Sequence, residues 1–232
     1  HEMNNPLAVI SGRAQLLANR LPAGSKDRQT AQLIAEQSEK LSDLITALRL
    51  FAEPPEPKMK AVALADLIED AVHHCRRQFD HAPALQVSTV NDVPLLWTDG
   101  RHVSGALEEL LLNAMQAEPK SAVKLRIQID PLNGRLNFKV IDDGIGMDAH
   151  TLEHAMDPFF SAKEAGRRSG LGLAKAGRLV ELVGGEIHLA SDPGRGTTAT
   201  LSIPLVDPPE DRKSASNTNE SGSGVEKHDP ES

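Results

Sequence analysis

Asp142-Asp143-Gly144-Ile145-Gly146 decides how this chain is read. It follows an alternating run in which Leu136, Phe138 and Val140 share one face of an extended strand ending at Ile141. A carboxylate at a strand end, followed by two glycines, sets an acceptor beside a backbone that a ligand can approach closely. Taken alone, these five residues describe an acidic β-turn equally well. Upstream, Glu109-Leu110-Leu111-Leu112-Asn113 puts Glu109 and Asn113 one helical turn apart on the same face, with the three leucines mainly directed to a core. An Asn amide oxygen suits a hard cation such as Mg2+, although the pair by itself reads as a solvated face.

Downstream, Ser169-Gly170-Leu171-Gly172-Leu173-Ala174 opens a helix. Glycines there let free backbone N–H groups and the positive end of the helix dipole meet phosphate oxygens. The preceding stretch, Pro158 to Arg168, couples the apolar Phe159-Phe160 to Lys163, Arg167 and Arg168, and reads as a mobile lid with cations for a polyphosphate. A dinucleotide-binding arrangement is disfavoured, because these glycines do not follow the first strand of a βαβ unit.

Around these motifs the pattern is mixed. Helical periodicity covers about 64–79, 100–117 and 171–184. Alternation marks strands at Val123, Leu125, Ile127 and Ile129, at Leu136 to Val140, at Ile187 and Leu189, and at Ala199, Leu201 and Ile203. Short turns between them predict a largely antiparallel sheet with helices on one face.

The N-terminal part is helical throughout. Leu7, Ile10, Ala14, Leu17 and Leu21 form one stripe, and Ile34, Leu41, Leu44, Leu48 and Phe51 another, with the break at Pro22 to Ser25 and Asp27 as the expected N-cap. One hairpin cannot bury both stripes, whereas two hairpins can, so a homodimeric four-helix bundle is expected. Pro54-Pro55-Glu56-Pro57 is a stiff spacer. The expected domains are thus 1–53, a linker at 54–57, and 58–206. A tail at 207–232, too polar to form a core, is expected to be disordered.

The bulk properties narrow the function classes. A net charge of −8 argues against a nucleic-acid partner. The single cysteine, Cys75, rules out an internal disulfide and fits a half-buried helix position in a reducing, cytoplasmic setting. No apolar run approaches the ~20 residues that span a bilayer, so no membrane contact is expected of this segment. The chain begins at His1 rather than Met, so it is expected to be a piece of something longer, in which a sensor or an anchor could lie upstream.

The order of the motifs resembles the catalytic core of sensor histidine kinases. Asn113 would end the N box, DDGIG would be the G1 box, MDPFFSAK an F-box-like segment and SGLGL the G2 box. The resemblance covers about 1–206. It implies an α+β chain: a helical hairpin that dimerises, then an α/β sandwich of the gyrase and histidine-kinase type that binds ATP with Mg2+. His1-Glu2-Met3-Asn4-Asn5-Pro6-Leu7 resembles the H box of nitrogen-regulation-type sensors.

That resemblance makes His1 the phosphoacceptor, Glu2 its proton acceptor, and Asn5 a residue that positions water for dephosphorylation of a response regulator. Asn113 would hold Mg2+ and Asp142 would accept the adenine amino hydrogen. Gly144, Gly146, Gly170, Leu171 and Gly172 would bring backbone to the nucleotide, with Lys163 on a phosphate. Three positions depart from the pattern: Glu109 replaces a common Asn and could act as a base, Met156 replaces an aromatic, and Arg168 replaces a Gly. Two other readings use the same residues, namely an ATPase of this fold acting on another target and a nucleotide-binding dimer that only scaffolds.

Overall fold

A computed structural model describes residues 4–79, 81–89, 95–161 and 170–206. Helix α1 (Asn4–Arg20) turns back through a short loop into α2 (Lys26–Ala52), and the two pack as an antiparallel hairpin. The N-cap of α2 is Ser25 rather than Asp27. Its hydroxyl accepts from the Arg28 N–H at 3.2 Å, while Asp27 sits in the first turn, where its charge complements the helix dipole.

The first stripe expected from the sequence divides, with Ala14 in the hairpin seam and Ile10 and Leu17 outside it, and the second stripe omits the buried face of α2 altogether. The seam inside the hairpin consists of small residues: Ser11, Ala14 and Ala18 meet Ala31, Ala35 and Ser38, all buried. Small side chains let the helices approach closely, and Glu39 locks the seam by accepting from the Ser11 hydroxyl at 3.0 Å and from Gln15 Nε2 at 2.8 Å. The large apolar side chains are left outside. Ile10 and Leu17, and Ile34, Leu41 and Leu48, recur every seven residues and are about half exposed. A seven-residue repeat of large apolar side chains is the spacing that suits the seam of a left-handed helix bundle.

Leu50, near the end of α2, joins the main core of the second unit. This unit comprises β1 (Lys60–Val62), α3 (Leu64–Arg76), β2 (Leu85–Ser88), β3 (Leu96–Thr98), α4 (Gly100–Met115), β4 (Val123–Asp130), β5 (Arg135–Ile141), α5 (Ala149–His154), α6 (Gly172–Glu181), β6 (Glu186–Asp192) and β7 (Gly196–Pro204). The five-stranded sheet runs β2-β4-β5-β7-β6 and is antiparallel except for the parallel pairing of β2 with β4. Val123, Leu125, Leu136, Phe138, Val140, Leu201 and Ile203 point from the sheet into one aliphatic core with α3, α4 and α6. The structure is thus a helical hairpin followed by a two-layer α/β sandwich.

Strands β1 and β3 form a separate antiparallel pair that periodicity did not reveal. At three residues each they are too short for an alternation to register. The six-residue α5 was missed for the same reason. Cys75 is fully buried rather than half-buried, with its Sγ 3.5 Å from Met115 Sδ. Among the described residues no helix is long and apolar enough to cross a membrane. The 207–232 tail lies outside the described residues.

One buried carboxylate ties the spacer region to the sandwich. Asp99 caps α4 by accepting from the Arg101 N–H at 3.0 Å, and it also accepts from the Lys58 N–H at 2.8 Å. Burial disfavours its charge, but the bonds from Lys58 and Arg101 outweigh that and hold its pKa below the ordinary carboxylate value. A depressed carboxylate pKa stabilises the fold at pH values above its unfolded-state value, and this stabilisation is lost as pH falls through the folded-state value. Asp99→Ala is expected to cost about 1–3 kcal/mol in urea unfolding at neutral pH, and the difference from wild type should shrink below pH ~4.

Candidate nucleotide site

The strand-end motif sits where β5 leaves the sheet. The Asp142 side chain is nearly buried, and its Oδ1 accepts from the Gly144 N–H at 2.9 Å and the Thr197 N–H at 3.3 Å. These bonds fix the carboxylate against two backbone segments. Its neighbour acts elsewhere. Asp143 Oδ1 accepts from the Lys120 and Ser121 N–H groups, at 2.8 and 3.1 Å, and so fastens the loop after α4. Hydrogen bonds from Ser121 hold the Asp143 carboxyl below its ordinary range.

The two glycines of the motif are there for packing as well as approach. A Cβ on Gly144 would strike the Ala117 carbonyl. Gly146 has φ +66°, and a Cβ there would strike the Asp192 carbonyl. The Ile145 N–H donates to Ala117 O at 3.0 Å and the Gly194 N–H to Ile145 O at 2.7 Å, so the loop is pinned from both sides.

A cleft of about 540 Å³ opens beside this loop, and its lining includes Glu109, Asn113, Asp142, Gly146, Gly170, Leu171 and Gly172. Residues from three motifs that are well separated in sequence therefore meet at one cavity. Gly144 lies behind the wall, against Ala117. The glycine-rich turn is closed by the Phe159 N–H donating to Gly170 O at 2.9 Å, and both residues have positive φ. Phe160 lines the cleft, with its ring 6.0 and 5.5 Å from those of His150 and His154 on α5.

His1, Glu2, Lys163 and Arg168 lie outside the described residues. Asn5 is exposed on the first turn of α1 and is not part of the cleft lining. Met156 packs toward α6, where a Cβ on Gly177 would come within 2.7 Å of its methyl group. The absence of a side chain at 177 therefore makes room for the methionine that stands in an aromatic's place.

Another part of the cleft lining holds what the sequence did not reveal. Lys175, in the first turn of α6, donates to Glu109 Oε1 at 2.7 Å. Lys40 and Asp43 of α2, together with Glu108 of α4, line the same wall. Burial opposes the charge on Lys175, but the carboxylates of Glu109, Glu108 and Asp43 outweigh it and raise the ammonium pKa. Burial also raises Asp43, reinforced by Glu109 and Glu39 and opposed by Lys175. The only signal in the sequence was that Lys175 follows Gly172 by about one turn, close to the helix entry.

Comparison with known proteins matches both units. Residues 98–207 match the family of histidine kinase-, DNA gyrase B- and HSP90-like ATPases, and residues 1–57 match the His Kinase A (phospho-acceptor) domain. The sensor histidine kinase ZraS of Escherichia coli K12 is 32% identical over 206 residues, covering 88% of this chain and 44% of ZraS. The sensory histidine kinase/phosphatase NtrB of Rhodobacter capsulatus is 30% identical over 218 residues, covering 89% of this chain and 60% of NtrB. The chain thus spans about half the length of the curated relatives it matches. Full-length ShkA in complex with AMPPNP superposes with a TM-score of 0.70 at 22% identity, over 90% of this chain and 45% of ShkA. AdeS of Acinetobacter baumannii gives 0.59 at 19% identity, over 89% of this chain and 98% of AdeS. At those identities the two structures speak for the fold.

Proposed function

Since the chain belongs to the sensor histidine kinases, with their phospho-acceptor unit followed by their ATPase unit, we propose that it transfers the γ-phosphoryl group of ATP to His1 and then to an aspartate of a response regulator. The observation that carries this reading is the convergence of Asn113, Asp142 and the Gly170-to-Gly172 turn on one cleft. Asp142, rigidly held, accepts the adenine amino hydrogen. The N-terminus of α6 and its glycine turn offer N–H donors to the phosphates. Asn113 fits Mg2+ by its hard amide oxygen and its place in the cleft beside Gly172. When bound, that ion neutralises polyphosphate charge.

In the transfer, a ring nitrogen of His1 attacks the γ-phosphorus, the bond to the β-phosphate oxygen breaks, and ADP leaves. Glu2 takes the ring proton, giving a neutral phosphoimidazole. An aspartate carboxylate oxygen of the receiver then attacks the same phosphorus, and the P–N bond breaks as the ring takes a proton back from Glu2, restoring neutral His1. Asn5 positions water for the opposing reaction, dephosphorylation of the regulator. Incubation with γ-labelled ATP tests the reading: label on the chain that is lost in acid and retained in alkali is expected, whereas acid-stable label or none at all would sink it.

The exposed heptad faces support a homodimer of hairpins. Fully burying each Ile or Leu is worth about 1.5–3 kcal/mol, and in one hairpin these side chains stay about half in water. Ile34→Lys combined with Leu41→Lys is expected to convert the dimer to a monomer in sedimentation, leaving ATP affinity unchanged because neither residue lines the cleft.

A further inference from the structure

The charge arrangement at the start of α6 is unusual. A helix N-terminus carries partial positive charge, so a lysine in the first turn is misplaced unless anions surround it. The first turn of α6 contains no acid of its own. The anions come from elsewhere: Glu109 and Glu108 from α4, and Asp43 from α2, all facing the same stretch of cleft wall. Glu109 is held by Oε1, 2.7 Å from Lys175 Nζ. Its other oxygen, Oε2, lies against Gly172, where a Cβ would sit 2.8 Å away.

This places a carboxylate beside the backbone N–H groups that are to receive the polyphosphate. Lys40 of α2 is the other cation on this wall, so without Lys175 the three carboxylates of Asp43, Glu108 and Glu109 would outnumber it and repel a triphosphate from its own binding turn. We propose that Lys175 is a positioning residue of the nucleotide site, which clamps Glu109 by one oxygen and cancels the negative charge of this wall so that a triphosphate can enter. The inference rests on the reading of the cleft as an ATP site. It also accounts for Glu109 standing at a position where a neutral amide is common: the carboxylate comes with a cation from the facing helix. Glu109 and Lys175 are 66 residues apart, so only the packing of α4 on α6 joins them.

The deciding experiment is a titration of the full chain with a fluorescent ATP analogue at two salt concentrations, alongside thermal melting. Lys175→Met is expected to weaken binding about tenfold at low salt, with the deficit shrinking as salt screens the wall. Lys175→Arg keeps the charge and is expected to stay within about threefold of wild type. The double variant Lys175→Met, Glu109→Gln removes both charges and should recover most of the loss.

Equal affinity and equal salt dependence for wild type and Lys175→Met would reduce the lysine to a staple between α4 and α6, and so overturn the proposal. A double variant as weak as Lys175→Met would overturn charge cancellation. If Lys175→Met does not fold, Glu109→Gln decides: with the lysine released and the wall less negative, ATP must bind more tightly, and unchanged or weaker binding rejects the idea. A wild-type chain that binds no ATP overturns the reading of the cleft itself, whereas wild-type binding with an indifferent Lys175→Met overturns only the role of the lysine.

Discussion

His1→Gln is expected to remove all acid-labile label from the chain after incubation with γ-labelled ATP, while ATP affinity stays within about twofold of wild type. The two effects separate because the proposed acceptor lies at the start of the chain, whereas the residues proposed to hold ATP come from the sandwich. The residues proposed to hold ATP come from α4, the loop after β5 and the entry to α6, and their geometry is fixed by contacts within the sandwich. Removing the imidazole takes away the proposed nucleophile and leaves these residues unchanged. Glutamine keeps side-chain length and polarity but has no ring nitrogen able to form the P–N bond. Persistence of acid-labile label in His1→Gln would move the acceptor to another histidine, and loss of ATP binding with the label would tie the two units together more closely than separate sites allow.

Asp142→Asn is expected to weaken ATP binding by about 100-fold, equivalent to about 2.7 kcal/mol. The side chain is 7% exposed and receives two backbone N–H groups on Oδ1. An asparagine can satisfy those donors only with its amide oxygen. The amide NH2 must then face the ligand, where a donor replaces the charged acceptor that the adenine amino group needs. Turning the amide over would set a donor against the Gly144 and Thr197 N–H groups, at comparable cost. Titration with the fluorescent analogue measures the change. Affinity within about threefold of wild type would remove Asp142 from base recognition. Asp143→Asn serves as the comparison, because that carboxylate is spent on the Lys120 and Ser121 N–H groups and its loss should disturb the loop more than the ligand.

Much of this site was legible as local pattern. A carboxylate after an alternating run, a leucine-rich turn between Glu109 and Asn113, and glycines at a helix entry each declare themselves within a few residues, since backbone freedom and side-chain period are local properties. Their meeting at one cavity is not local. It follows from the antiparallel register of β5 with β7, which brings Thr197 to Asp142, and from α4 lying against α6. The hairpin shows the same division. Periodicity identified two apolar helices by their large side chains, which the structure leaves half exposed, and apart from Ala14 it passed over the small residues Ser11, Ala18, Ala31, Ala35 and Ser38 that form the hairpin seam.

By itself, then, the sequence determined the two helices, the long strands and the chemistry of the strand-end motif, because spacing and residue type dictate each within a single element. Only the tertiary structure decided what the second aspartate does, and which side chains share the cleft with the first. Asp142 and Asp143 are the same residue type just past the end of β5, yet their carboxylates take different partners, one Gly144 and Thr197 and the other the loop after α4. Lys175 is an ordinary helix-surface lysine until α6 packs on α4. There the electrostatics of a partly buried wall, with three carboxylates around one ammonium, give it a partner that no reading along the chain could supply.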